Sequence, residues 1–455
     1  MDLCIRKRPL ALANCFWGVC ALALLLVSLP AFGRAEAPPM VAPPTCTTMP
    51  PTTSVGAEAA LTLRDAVAAA MLSNPELAVV ACELRVAEAR MVQPGLFTNP
   101  QLRLEIENIA GSGDRSGDEQ AETTVLISQL FELGGKRARR VRVAGLARDM
   151  VLWDYEARRL SVVGATVKAF VATLAAQERV VVADAYRQLA ARTLSGVGAL
   201  VDAGAAPTAD LARARVAAGR ARLLQQRAAR DLVAARRILA SAWGGERPRF
   251  KQAQGSLRSL GALTSADDDA TSIAGNPDVA RWETEQARQA AALALAESGR
   301  IPNVTIGAGG RYFSNNGDGA VVVELSVPLP VFNRGQGAAG VARHSIERVG
   351  AARRASARTA AVGLAAARAR RDAARAEAVL LRDQVLPEAR RAVVAAQAAL
   401  RRGLISFTDL NATEVAELEL RQDEIRALES VHIAAVDIAR LTGMPSVVLS
   451  EGGIE

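Results

Sequence analysis

Histidine is nearly missing from this 455-residue chain, which holds only His344 and His432. Two such residues, 88 positions apart, argue against a histidine metal cluster or an imidazole general base. Aromatic residues make up 4%. Alanine, leucine, arginine and glutamate dominate instead, a profile that suits long helices better than a mixed core. Cysteine is scarce as well: three of the five, Cys4, Cys15 and Cys20, fall in the first twenty residues, and only Cys46 and Cys82 follow. No disulfide framework is expected. The few methionines form no copper-relay pattern, and no set of side chains adds up to a catalytic constellation. The chain is therefore not expected to be an enzyme, to hold a metal centre or to need a cofactor.

Positive charge is in excess, at a formal +8. The arginines are scattered among apolar positions and gather in no single patch, so they describe solvated helical faces and not a nucleic-acid surface.

The N-terminus carries Arg6, Lys7 and Arg8, an apolar run to about Leu29, and then the small-residue stretch PAFGRA. That order is a secretory signal peptide, cleaved after Gly33 or Ala35 and occupying 1–35; an uncleaved anchor is the alternative. Residues 36–60 are rich in Pro and Thr and are expected to be extended. Cys46 would carry a lipid were it the first mature residue, but Pro-Pro-Thr precedes it where lipid attachment requires a small apolar box, so lipidation is the lesser alternative.

The remainder repeats itself. Gly204, Asp210, Leu211 and Gly244 recur as Gly403, Asp409, Leu410 and Gly443, all at an offset of 199. Asn74-Pro75 and Pro100 recur as Asn276-Pro277 and Pro302 at an offset of 202. A spacing this long is a duplicated half, not a solenoid. The halves are 61–245 and 266–443, with a linker at 246–265 and a tail at 444–455.

Each half reads as helix, two strands, long helix, short turn, helix. In the first half the helical stretches are 62–98, 134–202 and 208–243; in the second, 267–300, 335–402 and 407–443. The long ones span roughly 100 Å and the short ones about 55 Å each, so two short helices end to end match a long one. Leu386, Val393 and Leu400 fall at sevens with Ala389 and Ala396 between them, a close-packed heptad seam. Pro387, inside that helix, is expected to kink or break it. His432 shares a stripe with Leu418, Ile425 and Ala439, as a packed histidine would.

The strands are expected at 101–109, 122–131, 303–313 and 320–332. In the first, Leu102, Leu104 and Ile106 alternate with Arg103, Glu105 and Glu107. Each is about as long as a tilted membrane-spanning strand, roughly 9–11 residues. Connections at 110–120 and 314–319 are rich in Gly, Asp, Asn and Ser, as exposed hairpin loops are. A small soluble sheet with one wet face has the same alternation. Four strands, however, leave two free edges, and lipid tolerates none; three chains would supply twelve strands and close a barrel.

The chain is similar to the TolC-like outer membrane efflux proteins over most of 61–443. The duplicated halves, the strand pairs, the long helices and the turn at Arg402-Gly403 with Asp409-Leu410 carry the resemblance. FELGGKRARR (131–140) and NPQL (99–102) resemble the CzcC-like heavy-metal branch. The resemblance implies a mainly α fold with a small β part: long antiparallel helical hairpins forming a periplasmic tunnel, and four strands given to a trimeric twelve-stranded barrel in the outer membrane of a Gram-negative bacterium. It implies a homotrimer working with a periplasmic adaptor and an inner-membrane RND transporter, in contact with outer-membrane lipid and with no nucleic acid. The substrates implied are divalent cations of the cobalt, zinc, cadmium or nickel type. Drug export or type I secretion is the alternative within the class, and an exported coiled-coil scaffold the alternative outside it.

On that basis Leu102, Leu104 and Ile106 are expected to face lipid, and Arg103 and Glu105 the lumen. Gly204, Asp210, Leu211, Arg402, Gly403, Asp409 and Leu410 belong to hairpin tips that meet the adaptor. Gly204 and Gly403 would leave a helix with positive φ, and Ser406 with Asp409 has capping-box spacing. Pro207 stands where Ser406 would align, so the first tip needs another cap. Asp210 and Asp409 serve the helix N-terminus, a partner, or both. GQGAAG (335–340) fits a dinucleotide-binding fingerprint formally, but a helix near seventy residues follows with no returning strand. Gly335 and Gly337, like Gly134 and Gly135, are instead expected at a crowded barrel-to-tunnel junction. GGKR (134–137) lacks the rest of a phosphate-binding loop.

Overall fold

The computed structural model describes residues 60–109, 112–113, 120–258 and 273–443. The signal segment, the 36–59 stretch with Cys46, most of the 110–120 connection, 259–272 and the 444–455 tail lie outside these.

The expected 62–98 helix is two helices, α1 (Leu63–Ser73) and α2 (Pro75–Gly95). The break is at Asn74, whose backbone is extended at ψ 125° while its side chain accepts hydrogen bonds from the Glu76 and Leu77 amides. Proline disfavours helical geometry in the residue before it, and asparagine is a strong N-cap. Together they start a new helix in place of continuing the old one. The second copy of the dipeptide acts alike: Asn276 accepts from the Asp278 amide and opens α5 (Pro277–Ser298), after a short 3-10 turn at Ile273–Gly275. The second half thus begins its described helix ten residues later than expected.

Between these lie β1 (Gln101–Glu107), β2 (Glu122–Phe131), α3 (Lys136–Asp202) and α4 (Thr208–Ser241). After α5 come β3 (Val304–Phe313), β4 (Gly319–Ser326), α6 (Gln336–Leu380), α7 (Leu386–Arg401) and α8 (Phe407–Thr442). α3 is unbroken for 67 residues, about 100 Å. Its neighbours α2 and α4, at 21 and 34 residues, are unequal, about 32 and 51 Å. The 11 residues of α1 make up most of the difference along α3. In the second half a single π-helical turn at Leu381–Val385 separates α6 from α7, and the Leu386 amide reaches back to the Leu381 carbonyl. This is the break expected at Pro387: the wide turn accommodates a residue that can neither donate to the preceding turn nor sit against its carbonyl.

α3 packs on α1, α2 and α4 of its own half and on α5 and α8 of the other. The core sits midway along it, where Val163, Val167, Phe170 and Leu174 meet Leu63 and Val67 of α1, Leu239 of α4 and Ile425 and Leu428 of α8. Trp243, Phe250, Ala253 and Leu257 complete the cluster. The described part of the linker is therefore not a passive connection. Leu61 forms a parallel bridge to Ala253, and Gln177 bonds both the amide and the carbonyl of Ala253 at 2.8 and 3.0 Å. Cys82 is disulfide-bonded. One such bond is not the multi-bridge framework whose absence the cysteine count led one to expect.

His432 is buried in this core, as expected. Its Nε2 lies 3.3 Å from the Leu257 carbonyl oxygen, and Nδ1 has no hydrogen-bond partner among the described residues. Burial pushes the imidazole down to about 4, against a smaller opposing effect of the Leu257 carbonyl. The folded state thus binds fewer protons than the unfolded one between the ordinary value near 6.5 and about 4. Stability from this group is fully present above the ordinary value and is lost as pH falls through that window, up to about 3 kcal/mol per chain. His432→Gln is expected to flatten the drop in apparent Tm between pH 7 and pH 4.5 relative to wild type. An unchanged slope rules this contribution out.

The four strands form one antiparallel sheet in the order β1-β2-β3-β4, leaving β1 and β4 as free edges among the described residues. β4 ends at Ser326, six residues short of the expected 332. Pro328 and Pro330 supply no amide to a ladder, and Leu329, Val331 and Phe332 beyond the strand end are exposed. The sheet is tightly curled at β2–β3: a Cβ on Gly309 would lie 1.9 Å from the Val125 carbonyl oxygen. Gly309→Ala is expected to force those strands apart, at about 1–3 kcal/mol, and to lower the yield of membrane-inserted protein. Normal yield would mean that the strands separate freely.

Candidate functional site

Cross-strand partners share a face of a sheet, so the register sorts every side chain. Gln101, Arg103, Glu105 and Glu107 of β1 stand opposite Ser128, Leu126, Thr124 and Glu122 of β2. These in turn stand opposite Gly307, Gly309, Arg311 and Phe313 of β3. Leu126, Thr124 and Ser128 are buried, so this is the concave face. It is polar and laced by charge: Arg103 reaches across to Glu324 of β4 at 3.3 Å, and Arg311 bridges Glu122 at 2.8 Å and Glu107 at 3.4 Å. The Arg103–Glu324 and Arg311–Glu107 pairs join strands that are not neighbours, and no sequence pattern foretells them.

The opposite face is apolar on all four strands. Leu102, Leu104 and Ile106 continue into Val125 and Ile127, Ile306 and Tyr312, and Val321, Val323 and Leu325. All of these are exposed, up to 81% at Val321. Ten adjoining exposed hydrophobic side chains form a patch that water does not tolerate on an isolated protein. Aromatics mark its limits, in a chain that has few. Phe131 ends β2, Phe97 precedes β1 and Phe332 follows β4 at one end; Tyr312 stands near the end of β3 at the other, with Phe313 turned to the concave face. Aromatic girdles at both borders of an apolar band characterise membrane barrels.

FELGGKRARR is the knot where sheet becomes helix. Gly134 and Gly135 have φ of 72° and 66°. Lys136 Nζ donates to the Ile301 carbonyl and to Asn303 Oδ1, both at 2.5 Å, tying the first half to the foot of β3. Arg137 lies 4.0 Å above the Phe97 ring, Arg139 donates to the Ala294 carbonyl, and Arg140 grips Glu132 through two bonds of 2.6 Å. Crowding holds for Gly134, where a Cβ would meet Ile301 at 2.9 Å, and for Gly335, 3.0 Å from the Ala296 carbonyl oxygen. It does not hold for Gly135 or Gly337: a Cβ at either meets nothing within 4 Å among the described residues. Gly337 sits inside α6, two residues past the left-handed Gly335 that needs the glycine.

The two tips, 199 residues apart in sequence, lie together. Phe407 of α8 packs with Val197 of α3 and Ala214 of α4, and Thr193 donates to Glu414 at 2.9 Å. Burial raises the Glu414 carboxyl, with Thr193 and Gln397 opposing. Both turns close alike. Gly204 and Gly403 have φ of 68° and 71°, and the next amides, Ala205 and Leu404, reach back to the Leu200 and Ala399 carbonyls. This is the Schellman closure, which favours glycine. Ser406 and Asp409 form the expected reciprocal cap, and the Ser406 hydroxyl holds the Asp409 carboxyl below its ordinary range. Pro207 caps α4 with no side-chain bond.

Burial sorts the expected tip residues differently. Leu410 is 1% exposed and belongs to the core; Leu211 packs beside Val197; Asp210 is buried and paired with Arg213 at 3.1 Å. Leu410 and Asp210 are thus withdrawn from the surface, and Leu211 is half-buried. Gly204, Arg402 and Gly403 are exposed. So is Leu404, at 71%, which sequence reasoning passed over. The signal was there: Leu404 stands where the first tip has Ala205, an apolar residue beside the turn glycine.

The family model described as outer membrane efflux protein matches residues 66–245 and 271–444. The cobalt-zinc-cadmium resistance protein CzcC of Cupriavidus metallidurans is 28% identical over 399 residues, covering 88% of this chain and 94% of its own. The nickel-cobalt-cadmium resistance protein NccC of Alcaligenes xylosoxydans xylosoxydans is 30% identical over 305 residues, 66% of each chain. Among solved structures CusC has the same fold, with a TM-score of 0.73 over 91% of this chain and 99% of its own at 16% identity. With two repeat-length matches joined to a two-faced open sheet and paired helical hairpins, the chain belongs to the outer membrane efflux protein family.

Proposed function

We propose that three copies of this chain join their sheets, β4 of one to β1 of the next, into a twelve-stranded barrel in the outer membrane. The helical hairpins continue as a tunnel into the periplasm. The assembly is the exit duct for divalent heavy-metal cations of the cobalt, zinc, cadmium or nickel class, which an inner-membrane RND transporter delivers through a periplasmic adaptor. The observation that carries the reading is the sheet itself: an apolar exposed face and a polar concave face, with both edges unpaired. Leu102, Leu104 and Ile106 then meet lipid, and Arg103 and Glu105 the lumen. The exposed tip, at Arg402, Gly403 and Leu404, meets the adaptor. The substrate class rests on similarity to two metal-resistance proteins, one matched along 94% of its length.

A deletion strain, tested against cobalt, zinc, cadmium and nickel salts and against a panel of drugs, checks the substrate. Sensitivity to the metals, restored by the intact gene, is the expected result. Sensitivity to drugs alone would transfer the duct to drug export. Crosslinking of the detergent-solubilised protein is expected to give a three-chain species, and a stable membrane-inserted monomer would overturn the trimer.

A further inference from the structure

We propose that the foot of the two central strands is a binding surface for anionic glycerophospholipid in the periplasmic leaflet. The proposal rests on the outer-membrane reading above and adds a partner of defined charge. Phe131 and Val304 pair at the last rung of β2 and β3, each strand ten residues long, about what a tilted crossing of the hydrocarbon requires. The residues just past that rung therefore fall at headgroup depth. There the chain changes character. Residues 131–142 and 300–303 hold six cations against one carboxylate, Glu132. Arg140 already takes Glu132. Arg137, Arg139, Arg142 and Arg300 are exposed, and Arg142 and Arg300 have no carboxylate partner among the described residues. The hydrogen bonds of Lys136 to Ile301 and Asn303 hold the two segments at one level. Exposed Leu133 and Ile301 lie beside them, continuing the apolar band for acyl chains.

Two features choose lipid over a second copy of this chain as occupant. β2 and β3 are the inner strands of the sheet, so their feet lie away from the edges through which copies join. A second copy would also bring the same excess of positive charge, whereas a phosphodiester complements it. Guanidinium groups suit phosphate oxygens, which they can bind in pairs, and basic residues at a membrane border select anionic lipid.

The test uses the full protein, extracted in detergent and reconstituted from an equimolar mixture of phosphatidylglycerol and phosphatidylcholine. Retained lipid is counted by native mass spectrometry of the assembled species. Wild type is expected to keep phosphatidylglycerol over phosphatidylcholine by about threefold or more. Arg142→Gln with Arg300→Gln is expected to bring the ratio near one while assembly is unchanged. Arg343→Gln, which breaks a pair with Glu297 farther along α6, serves as control and is expected to keep the wild-type ratio. Equal retention by wild type, or an unchanged preference in the double variant, overturns the proposal. Loss of assembly in the double variant would make the surface a contact between copies and overturn it as well. Failure of wild type to insert in either lipid would instead strike the outer-membrane reading.

Discussion

Leu104→Arg is expected to abolish the outer-membrane assembly, whereas Glu105→Arg, one residue on, leaves assembly intact and changes conductance. Leu104 is the central residue of β1, paired with Val125 on the apolar face, and 63% exposed. At mid-bilayer an arginine on the lipid side of a barrel costs about 2–4 kcal/mol. Three copies in one barrel pay that penalty three times, which is comparable with the whole stability of an ordinary fold. Glu105 pairs with Thr124 on the concave face, beside the Arg311 ion pairs. Reversing its charge alters the field along the bore and places no charge in hydrocarbon. Trimer blots of membrane fractions and single-channel recordings separate the two effects. Normal trimer with Leu104→Arg and none with Glu105→Arg would reverse the facing.

Leu404→Asp is expected to yield a normal amount of trimer and no metal resistance. Leu404 is exposed at the second tip, beyond the left-handed Gly403, and its amide bonds the Ala399 carbonyl whatever its side chain. The fold therefore loses little. A buried interface anchor, by contrast, is worth about 2 kcal/mol or more, and a carboxylate desolvated in its place adds a further penalty. Leu410→Asp is the contrasting variant. Leu410 is wholly buried, so that change disrupts the tip packing itself and lowers the trimer. Full resistance with Leu404→Asp would remove this residue from the docking surface. Asp409→Arg is expected to act more mildly, because the Asp409 carboxylate is held within its own cap by Ser406.

Local patterns in the chain were enough for several features, because each depends on a few consecutive residues. Alternation through Leu102 to Glu107 determined the two faces of β1, since strand side chains must alternate. Gly204 and Gly403 determined the turns, since a left-handed residue after a helix is nearly always glycine. Ser406 and Asp409 determined the cap three residues apart, and Pro387 the place where a long helix breaks. The common offsets determined that the chain is two copies of one unit. The tertiary structure decided what depends on residues far apart. It buried Leu410 and Asp210, which look in sequence like the exposed Leu404 and Asp409, because the two tips pack through Phe407, Val197 and Ala214. It drew Phe250, Ala253 and Leu257 of the linker into the core, through Gln177 and Leu61. It also joined Arg103 to Glu324 and Lys136 to Asn303, pairs separated by more than 160 residues whose meeting follows from the curl of the sheet and the return of the second half beside the first.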